Sequence, residues 1–152
     1  MSEKEELKKL LNRYAAISQE IAKHPWMRNN NPPIGDLAEH LIAETLGGEV
    51  AENNAKSYDV ELANGQLIQV KGITYRGSNS LFTSGIRSLD FDGVAIVICN
   101  PDFSIREGLL VPQHKVIEVS RLNMRMSAHQ ISVNKARPVS LDLTAKLRAV
   151  WH

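Results

Sequence analysis

Hydrophobic side chains recur at helical spacing along the first part of the chain. The positions that would line one face of a helix are Leu7, Leu10, Leu11, Tyr14, Ile17 and Ile21. Ser2 is followed by several glutamates, an arrangement that caps a helix and suits the positive end of its dipole. The pattern predicts a long amphipathic helix over Ser2–Lys23. Its apolar face could pack on its own domain, mediate dimerisation or dock on a partner protein, and these alternatives stay open.

A different pattern follows, in which polar and apolar residues alternate. Tyr58–Leu62 and Gln66–Ile73 both have a period of two, and the pair Asn64-Gly65 separates them. Alternation interrupted by Asn-Gly predicts a β-hairpin. Three polar side chains lie within or beside these strands, where sheets normally take Val, Ile or aromatic residues. These residues are Asp59, Gln69 and Lys71.

The length of the hairpin loop decides which of these side chains face each other. A loop of two residues would place Leu62 opposite Leu67. A loop of three, Ala63–Gly65 with a left-handed glycine, places Asp59 opposite Gln69, with the lysine diagonal to them. Only the longer loop separates one apolar face from one polar face, so we predict that register.

The remaining pattern completes an α/β order. The other predicted elements are a helix from Gly35 to Leu46, a short strand at 49–52, a strand at 94–99, a strand at 106–111, a helix at 112–120 and a final helix to Trp151 capped by Ser140 or Asp142. Residues 81–89 fit either a helix or a strand. The order predicts a mixed sheet flanked by helices, within one domain spanning residues 1–152.

Composition narrows the class of protein. The chain has 152 residues, 43% hydrophobic and 23% charged, which is ordinary for a soluble globular domain. No apolar run approaches the roughly 20 residues of a membrane span, and the N-terminal segment is charged. The single cysteine, Cys99, fits a reducing compartment. We therefore expect a cytoplasmic protein with no membrane partner.

Charge is distributed unevenly, although the net charge is only +1. Residues 101–152 contain eight basic and four acidic side chains. Most of the basic residues lie in the region 121–152: Arg121, Arg125, Lys135, Arg137, Lys146 and Arg148. This basic region is either a phosphate-binding surface or the solvated face of a helical C-terminal region, and both interpretations stay open.

The polar residues of the hairpin resemble the signature of the PD-(D/E)XK nuclease superfamily, in its QxK form. Asp59 corresponds to the acid of one strand, Gln69-Val70-Lys71 to the motif on the next, and Glu39 to the glutamate of the preceding helix. The resemblance covers about residues 35–111. It implies a restriction-endonuclease-like fold with an α-β-β-β-α-β core, plus an additional N-terminal helix at 2–23 and a helical C-terminal region.

The resemblance also implies a metal site and a reaction. Asp59, Glu39, the Gln69 side-chain oxygen and the Val70 carbonyl would bind Mg²⁺, with Mn²⁺ as a substitute, and Lys71 would orient the attacking water. The expected activity is that of a metal-dependent endonuclease acting on DNA as a homodimer, since a duplex has two strands to cut. The alternative, motivated by Gln in place of the commoner Glu, is an inactive module that binds nucleic acid or a protein. Residues expected to contact nucleic acid are Arg76, Ser78, Arg87, Arg121, Arg125, Lys135 and Arg137.

Overall fold

The computed structural model describes residues 1–28, 31–52 and 57–152. The helices of this part of the chain are α1 (Glu3–Ala22), α2 (Ile34–Leu46), α3 (Val133–Ala136) and α4 (Thr144–Trp151). Its strands are β1 (Gly48–Val50), β2 (Val60–Leu62), β3 (Leu67–Thr74), β4 (Gly93–Cys99), β5 (Ile105–Pro112), β6 (Ser120–Asn123), β7 (Ala128–Ile131) and β8 (Leu141–Asp142). The mixed α/β architecture predicted from the pattern is confirmed.

Helix α1 begins where the sequence predicts. The Ser2 hydroxyl accepts the Glu5 N–H at 3.2 Å, and the Glu5 carboxylate accepts the Ser2 N–H at 3.0 Å. This reciprocal capping box satisfies two of the backbone donors that a helix start leaves without partners. No residue of α1 is buried. Across the described residues, no helix combines the length and apolar character needed to cross a membrane.

The β2–β3 hairpin has the predicted three-residue loop. Val60 pairs with Ile68, the Leu62 N–H donates to the Gln66 carbonyl at 2.8 Å, and Gly65 has a φ of +87°. A left-handed residue at this position is strained for any side chain, which explains the glycine. The register turns Val60 and Ile68 into the core and leaves the polar positions on the opposite face.

One mixed sheet organises the domain. Within the described ranges its strand order is β1-β2-β3-β4-β5-β8, antiparallel throughout except for the parallel pair β3–β4. Every residue of β4 is buried, because core packs on both of its faces. Helices α2 and α4 cover one face through Leu41, Ile42 and Leu147. Residues 81–92 and the β6–β7 hairpin help to cover the other, through Ile86 and Ile131.

The helix that the family resemblance implies between the third and fourth strands is not formed, and neither is the continuous strand that the pattern left open. Residues 81–92 run as an irregular segment that makes isolated bridges, Phe82 with Ser132 and Ile86 with His129. The Thr83 N–H donates to the Ile131 carbonyl at 3.0 Å, and the Thr83 hydroxyl accepts the Ile131 N–H at 3.0 Å. Because these backbone groups are satisfied by a strand far along the chain, they have no need of helical partners.

The C-terminal region is also less helical than predicted. The helix expected at 112–120 is reduced to a 3₁₀ turn at Gln113–Lys115, and β6 and β7 form an antiparallel hairpin within the region expected to be helical. Val116 and Val119 pack into the core beside this turn. The final helix is confirmed as α4. Its N-cap residue is Leu143 and not the predicted Ser140 or Asp142, although the Asp142 carboxylate accepts the Thr144 N–H at 2.9 Å.

Candidate active site

Asp59 lies immediately before β2 and is fixed against β3. Its Oδ2 accepts the Val70 N–H at 2.7 Å, while its own N–H donates to the Ile68 carbonyl at 2.9 Å. The side chain thus replaces a backbone partner for β3 and is half-buried. The contact of Val70 that the structure shows is through its N–H, and the metal contact expected of its carbonyl stays a prediction. One contact through the carboxylate and one through the backbone N–H give the aspartate a well-defined position against β3.

Glu39 reaches this position because α2 packs closely on β3. A Cβ at Gly72 would lie 2.9 Å from the Ile34 carbonyl oxygen, so only glycine permits the approach. Burial, followed by the negative charge of Asp59, raises the pKa of Glu39 to about 8, whereas the positive charge of Arg28 acts in the opposite direction. Glu39 is therefore mainly protonated at neutral pH. When two carboxyl groups lie close together, one of them keeps its proton to a higher pH, because two adjacent negative charges repel each other.

Lys71 lies on the same face of β3 as Gln69 and is held by the irregular segment. Its Nζ donates to the Gly85 carbonyl at 3.1 Å. Burial lowers the pKa of Lys71, the Asp59 carboxylate opposes that change, and Arg87 lowers it further. Asp59 therefore interacts electrostatically with both Glu39 and Lys71. A partly buried lysine with a lowered pKa is suited to exchange a proton or to bind a developing negative charge.

Two acceptor oxygens of this group have no donor. Glu39 Oε2 and Gln69 Oε1 are buried without a hydrogen-bond partner, and they account for two of the three such side-chain atoms in the described residues. Buried polar atoms are nearly always satisfied in folded proteins, so an unsatisfied one marks a place where a water, a ligand or an ion can complete the contacts. Glu39 interacts electrostatically with Asp59, and the strand register continues to place Gln69 opposite Asp59, so both residues belong to the surroundings of this carboxylate.

The donor set fits a hard cation. It comprises two carboxyl groups and one amide oxygen, from Glu39, Asp59 and Gln69, which are the ligand types that Mg²⁺ and Mn²⁺ take. The described residues contain no cluster of three or more His, Cys, Asp or Glu side chains arranged to hold a metal. The amide oxygen would therefore serve as the third protein ligand, and a cation here would stabilise the ionised form of Glu39.

Two further residues of the site carry no signal in the sequence pattern. Arg28, in the polar break after α1, donates its backbone N–H to the buried carboxylate of Asp36 at 3.1 Å and its guanidinium to the Ala51 carbonyl. Its charge lowers the pKa of Glu39. Gly85 supplies only a backbone carbonyl, to Lys71. A guanidinium acting at a distance and a backbone acceptor have no characteristic spacing in a sequence.

The turn between β6 and β7 lies against the segment that holds Lys71. A Cβ at Gly85 would come within 3.0 Å of the Met126 sulfur and 2.8 Å of the Ala128 Cβ. The Arg87 Nε donates to the Met126 carbonyl at 3.3 Å. The hairpin is thus attached beside the lysine, although the two are far apart in sequence. We call β6, β7 and their turn the basic hairpin.

The residues expected to contact nucleic acid divide into separate groups. Arg87, Arg121 and Arg125 belong to the basic hairpin or touch it; the Arg121 guanidinium stacks on Phe82 at 3.6 Å, and Arg125 is exposed at the turn. Arg76 and Ser78 are exposed in the loop after β3. Lys135 is exposed on α3, and Arg137 forms a bidentate ion pair with Glu107 at 2.8 and 2.9 Å, so its guanidinium is already engaged.

Exposed apolar side chains accompany these cations on the basic hairpin. Leu122 is 56% exposed and Met124 is 78% exposed. Apolar side chains flanked by arginines form a surface that can meet both the phosphates and the stacked bases of a nucleic acid.

Comparison with protein-family models finds none that matches this chain. A search of curated proteins likewise returns no match. The chemistry of the site therefore rests on the contacts and charges described above.

Proposed function

We propose that the protein is a metal-dependent endonuclease with a restriction-endonuclease-like fold that acts on DNA as a homodimer. One observation carries the proposal: Asp59 interacts with both Glu39 and Lys71, while buried oxygens of Glu39 and Gln69 lack donors. The order of α2 followed by β1 to β4 supports the fold, with the irregular segment 81–92 in place of the expected helix.

Glu39, Asp59 and Gln69 would hold Mg²⁺ or Mn²⁺. Such a cation, when bound, activates water and offsets the negative charge that builds up on a phosphodiester during hydrolysis. Asp59 presents its carboxylate at a fixed position because Val70 donates to it. Glu39 must release its proton to act as a ligand, so the site gains affinity for a cation as the pH rises toward the Glu39 pKa of about 8.

Lys71 supplies the remaining chemistry. Its lowered pKa increases the fraction of neutral amine, which can accept a proton from water, while the protonated form binds a phosphate oxygen. The hydrogen bond to the Gly85 carbonyl fixes its direction. Since the same segment carries the basic hairpin, a nucleic acid bound there would lie beside the lysine.

A non-catalytic module is the alternative function. The basic hairpin would bind nucleic acid by charge and stacking alone, and Gln69 in place of a glutamate would reflect the loss of a metal ligand. This function predicts binding that is sensitive to salt but indifferent to Mg²⁺ and to the carboxylates.

The deciding experiment measures Mg²⁺ and Mn²⁺ binding by calorimetry, with plasmid cleavage on the same samples. Asp59→Ala is expected to weaken metal binding by more than about 10-fold. Removing a residue that only supports a metal ligand already costs about 10- to 100-fold in affinity, and Asp59 would itself be a ligand. Asp92→Ala is the matched control, because the Asp92 carboxylate also accepts a β3 backbone N–H, that of Leu67 at 2.8 Å, and is exposed. Asp92→Ala should retain both metal binding and cleavage.

Lys71→Ala separates catalysis from metal binding. We expect it to bind the cation while cleaving roughly 10²- to 10⁴-fold more slowly, the usual contribution of a positioned acid or base. Full cleavage by Lys71→Ala would overturn the role of the lysine. A folded wild-type protein that binds no divalent cation would overturn the nuclease proposal in favour of the binding module.

A further inference from the structure

Helix α1 exposes an entire row of large apolar side chains. They are Leu7, Leu10, Leu11, Tyr14, Ile17 and Ile21, with exposed fractions of 56%, 57%, 55%, 71%, 53% and 37%. Single exposed apolar residues are normal on a protein surface, but a contiguous row marks a surface that another molecule covers. Since no residue of α1 is buried, the other described residues do not cover this row, and a second molecule is needed to do so.

The spacing of the row is that of a helix-pairing seam. Leu7, Leu10, Tyr14, Ile17 and Ile21 follow steps of three and four residues, which are the a and d positions of a heptad repeat. On one side of the seam the flanking positions are charged, and these residues are Glu6, Arg13 and Glu20. A seam of this kind packs against another helix with the same repeat, because side chains of each fit between those of the other.

We propose that α1 pairs with α1 of a second copy of this chain in an antiparallel arrangement. The charges beside the seam decide the orientation. When Tyr14 lies opposite Ile17 of the second copy, Leu10 lies opposite its Ile21, and Arg13 comes level with its Glu20. Symmetry creates this ion pair twice. The flanking charges are therefore complementary in the same register that packs the seam.

The competing alignments lack this complementarity. A parallel pair in register brings Arg13 near Ser18 of the second copy, so no opposite charges meet. An antiparallel pair displaced by one heptad, with Tyr14 opposite Leu10, brings Arg13 level with Arg13 and Glu6 level with Glu20. Like charges at these positions oppose pairing.

This interface would form the homodimer of the proposed function, and it rests on α1, which lies outside the residues of the candidate site. A monomeric wild type that still binds metal and cleaves DNA would overturn the interface and the homodimer but leave the metal site standing, whereas a dimer that binds no metal would do the reverse. The end of α1 joins the domain where Trp26 stacks on His40, with ring centroids 4.6 Å apart. An antiparallel pair would place the two domains at opposite ends of the helix pair.

The first test is the mass of the full chain in solution, by light scattering coupled to gel filtration over a range of concentrations. We expect the wild type to approach twice the monomer mass of 16.9 kDa. Ile17→Lys should be monomeric, because it places a charge in the seam. Asn12→Lys makes the same kind of change on the polar side of α1 and should pair like the wild type. Both positions are exposed, so the domain itself stays folded.

A charge swap tests the orientation. Arg13→Glu or Glu20→Arg alone should raise the dimer Kd about fivefold, because each creates two like-charge contacts. The double variant carrying both changes restores opposite charges and should restore the wild-type Kd. Failure of the double variant to recover pairing would overturn the antiparallel arrangement.

A wild type that stays monomeric at about 0.1 mM would overturn the interface altogether, since a Kd on the order of 10 µM would leave most chains paired at that concentration. Binding of such a monomer to anionic lipid vesicles would identify a membrane surface as the occupant and would equally refute the proposal.

Discussion

The pKa of Glu39 depends on the side chains that surround it. It is placed on α2 with Asp59 nearby, and its pKa rises to about 8 because burial and a like charge both disfavour ionisation. Glu44, on the same helix, is exposed. The resemblance selects Glu39 by its place in the helix, but its chemistry differs from that of Glu44 because of burial and the neighbouring carboxylate.

This difference predicts a pH dependence of stability. The unfolded chain releases the Glu39 proton near its ordinary pKa of 4.5, while the folded protein keeps it until about pH 8. Between these values the folded state binds more protons, so its free energy of unfolding falls as the pH rises. Glu39→Gln removes this dependence, and its thermal midpoint should exceed that of the wild type increasingly toward pH 8.

Glu44→Gln is the control, and its midpoint should follow the wild type at every pH. Thermal denaturation followed by circular dichroism across this pH range makes the comparison. Parallel curves for Glu39→Gln and the wild type would show that Glu39 is ionised at neutral pH, which would contradict the protonated state inferred from its burial.

At the scale of elements, the contact between α2 and β3 decides whether the site exists. Gly72 follows Lys71 directly and faces the first turn of α2, where a Cβ would lie 2.9 Å from both the Ile34 carbonyl oxygen and its Cγ1. One of these neighbours is backbone, which cannot rotate away as a side chain can. The packing of α2, and with it the position of Glu39, depends on this glycine.

Gly72→Ala is therefore expected to destabilise the domain by about 1–3 kcal/mol, the usual effect of overpacking. Gly35→Ala is a matched control in α2, because a Cβ there meets nothing within 4 Å. Alanine at a helical position is favoured over glycine by roughly 0.5–1 kcal/mol, so this variant should be unchanged or more stable. Urea denaturation measures both, and equal stability of the two variants would contradict the steric argument.

At the scale of the whole molecule, the net charge of +1 conceals where the positive charge is placed. The basic hairpin carries Arg121 and Arg125 beside the segment that holds Lys71, whereas Arg137 is neutralised by Glu107. The net charge counts an arginine in an ion pair and an arginine without one in the same way. Which arginines are paired depends on tertiary contacts.

If the proposed function holds, Arg125→Ala should weaken binding to duplex DNA and reduce the slope of log affinity against log salt by about 1, the expected effect of losing one phosphate contact. Arg137→Ala removes the same charge from a paired position and should leave the slope unchanged. Fluorescence anisotropy across a salt series distinguishes them. Equal effects of the two variants would indicate a diffuse electrostatic attraction without a defined surface.

Features with a local cause could be predicted from the amino-acid sequence. Helix α1, the three-residue hairpin loop with Gly65 and the buried strand β4 follow from hydrophobic period and turn chemistry, which act over a few residues. The predicted register also aligned Asp59 with β3, since alternation fixes which side chains share a face.

The path of residues 81–92, the position of the basic hairpin and the partners of Lys71 depend on tertiary contacts and could not be predicted from the sequence. The Thr83 N–H donates to the carbonyl of Ile131, 48 residues away, and Lys71 is held by the carbonyl of Gly85. Hydrogen bonds over such distances leave no period in the sequence, because the backbone that donates or accepts is the same for any residue type. The same reason hides Arg28, whose effect on Glu39 comes from proximity alone.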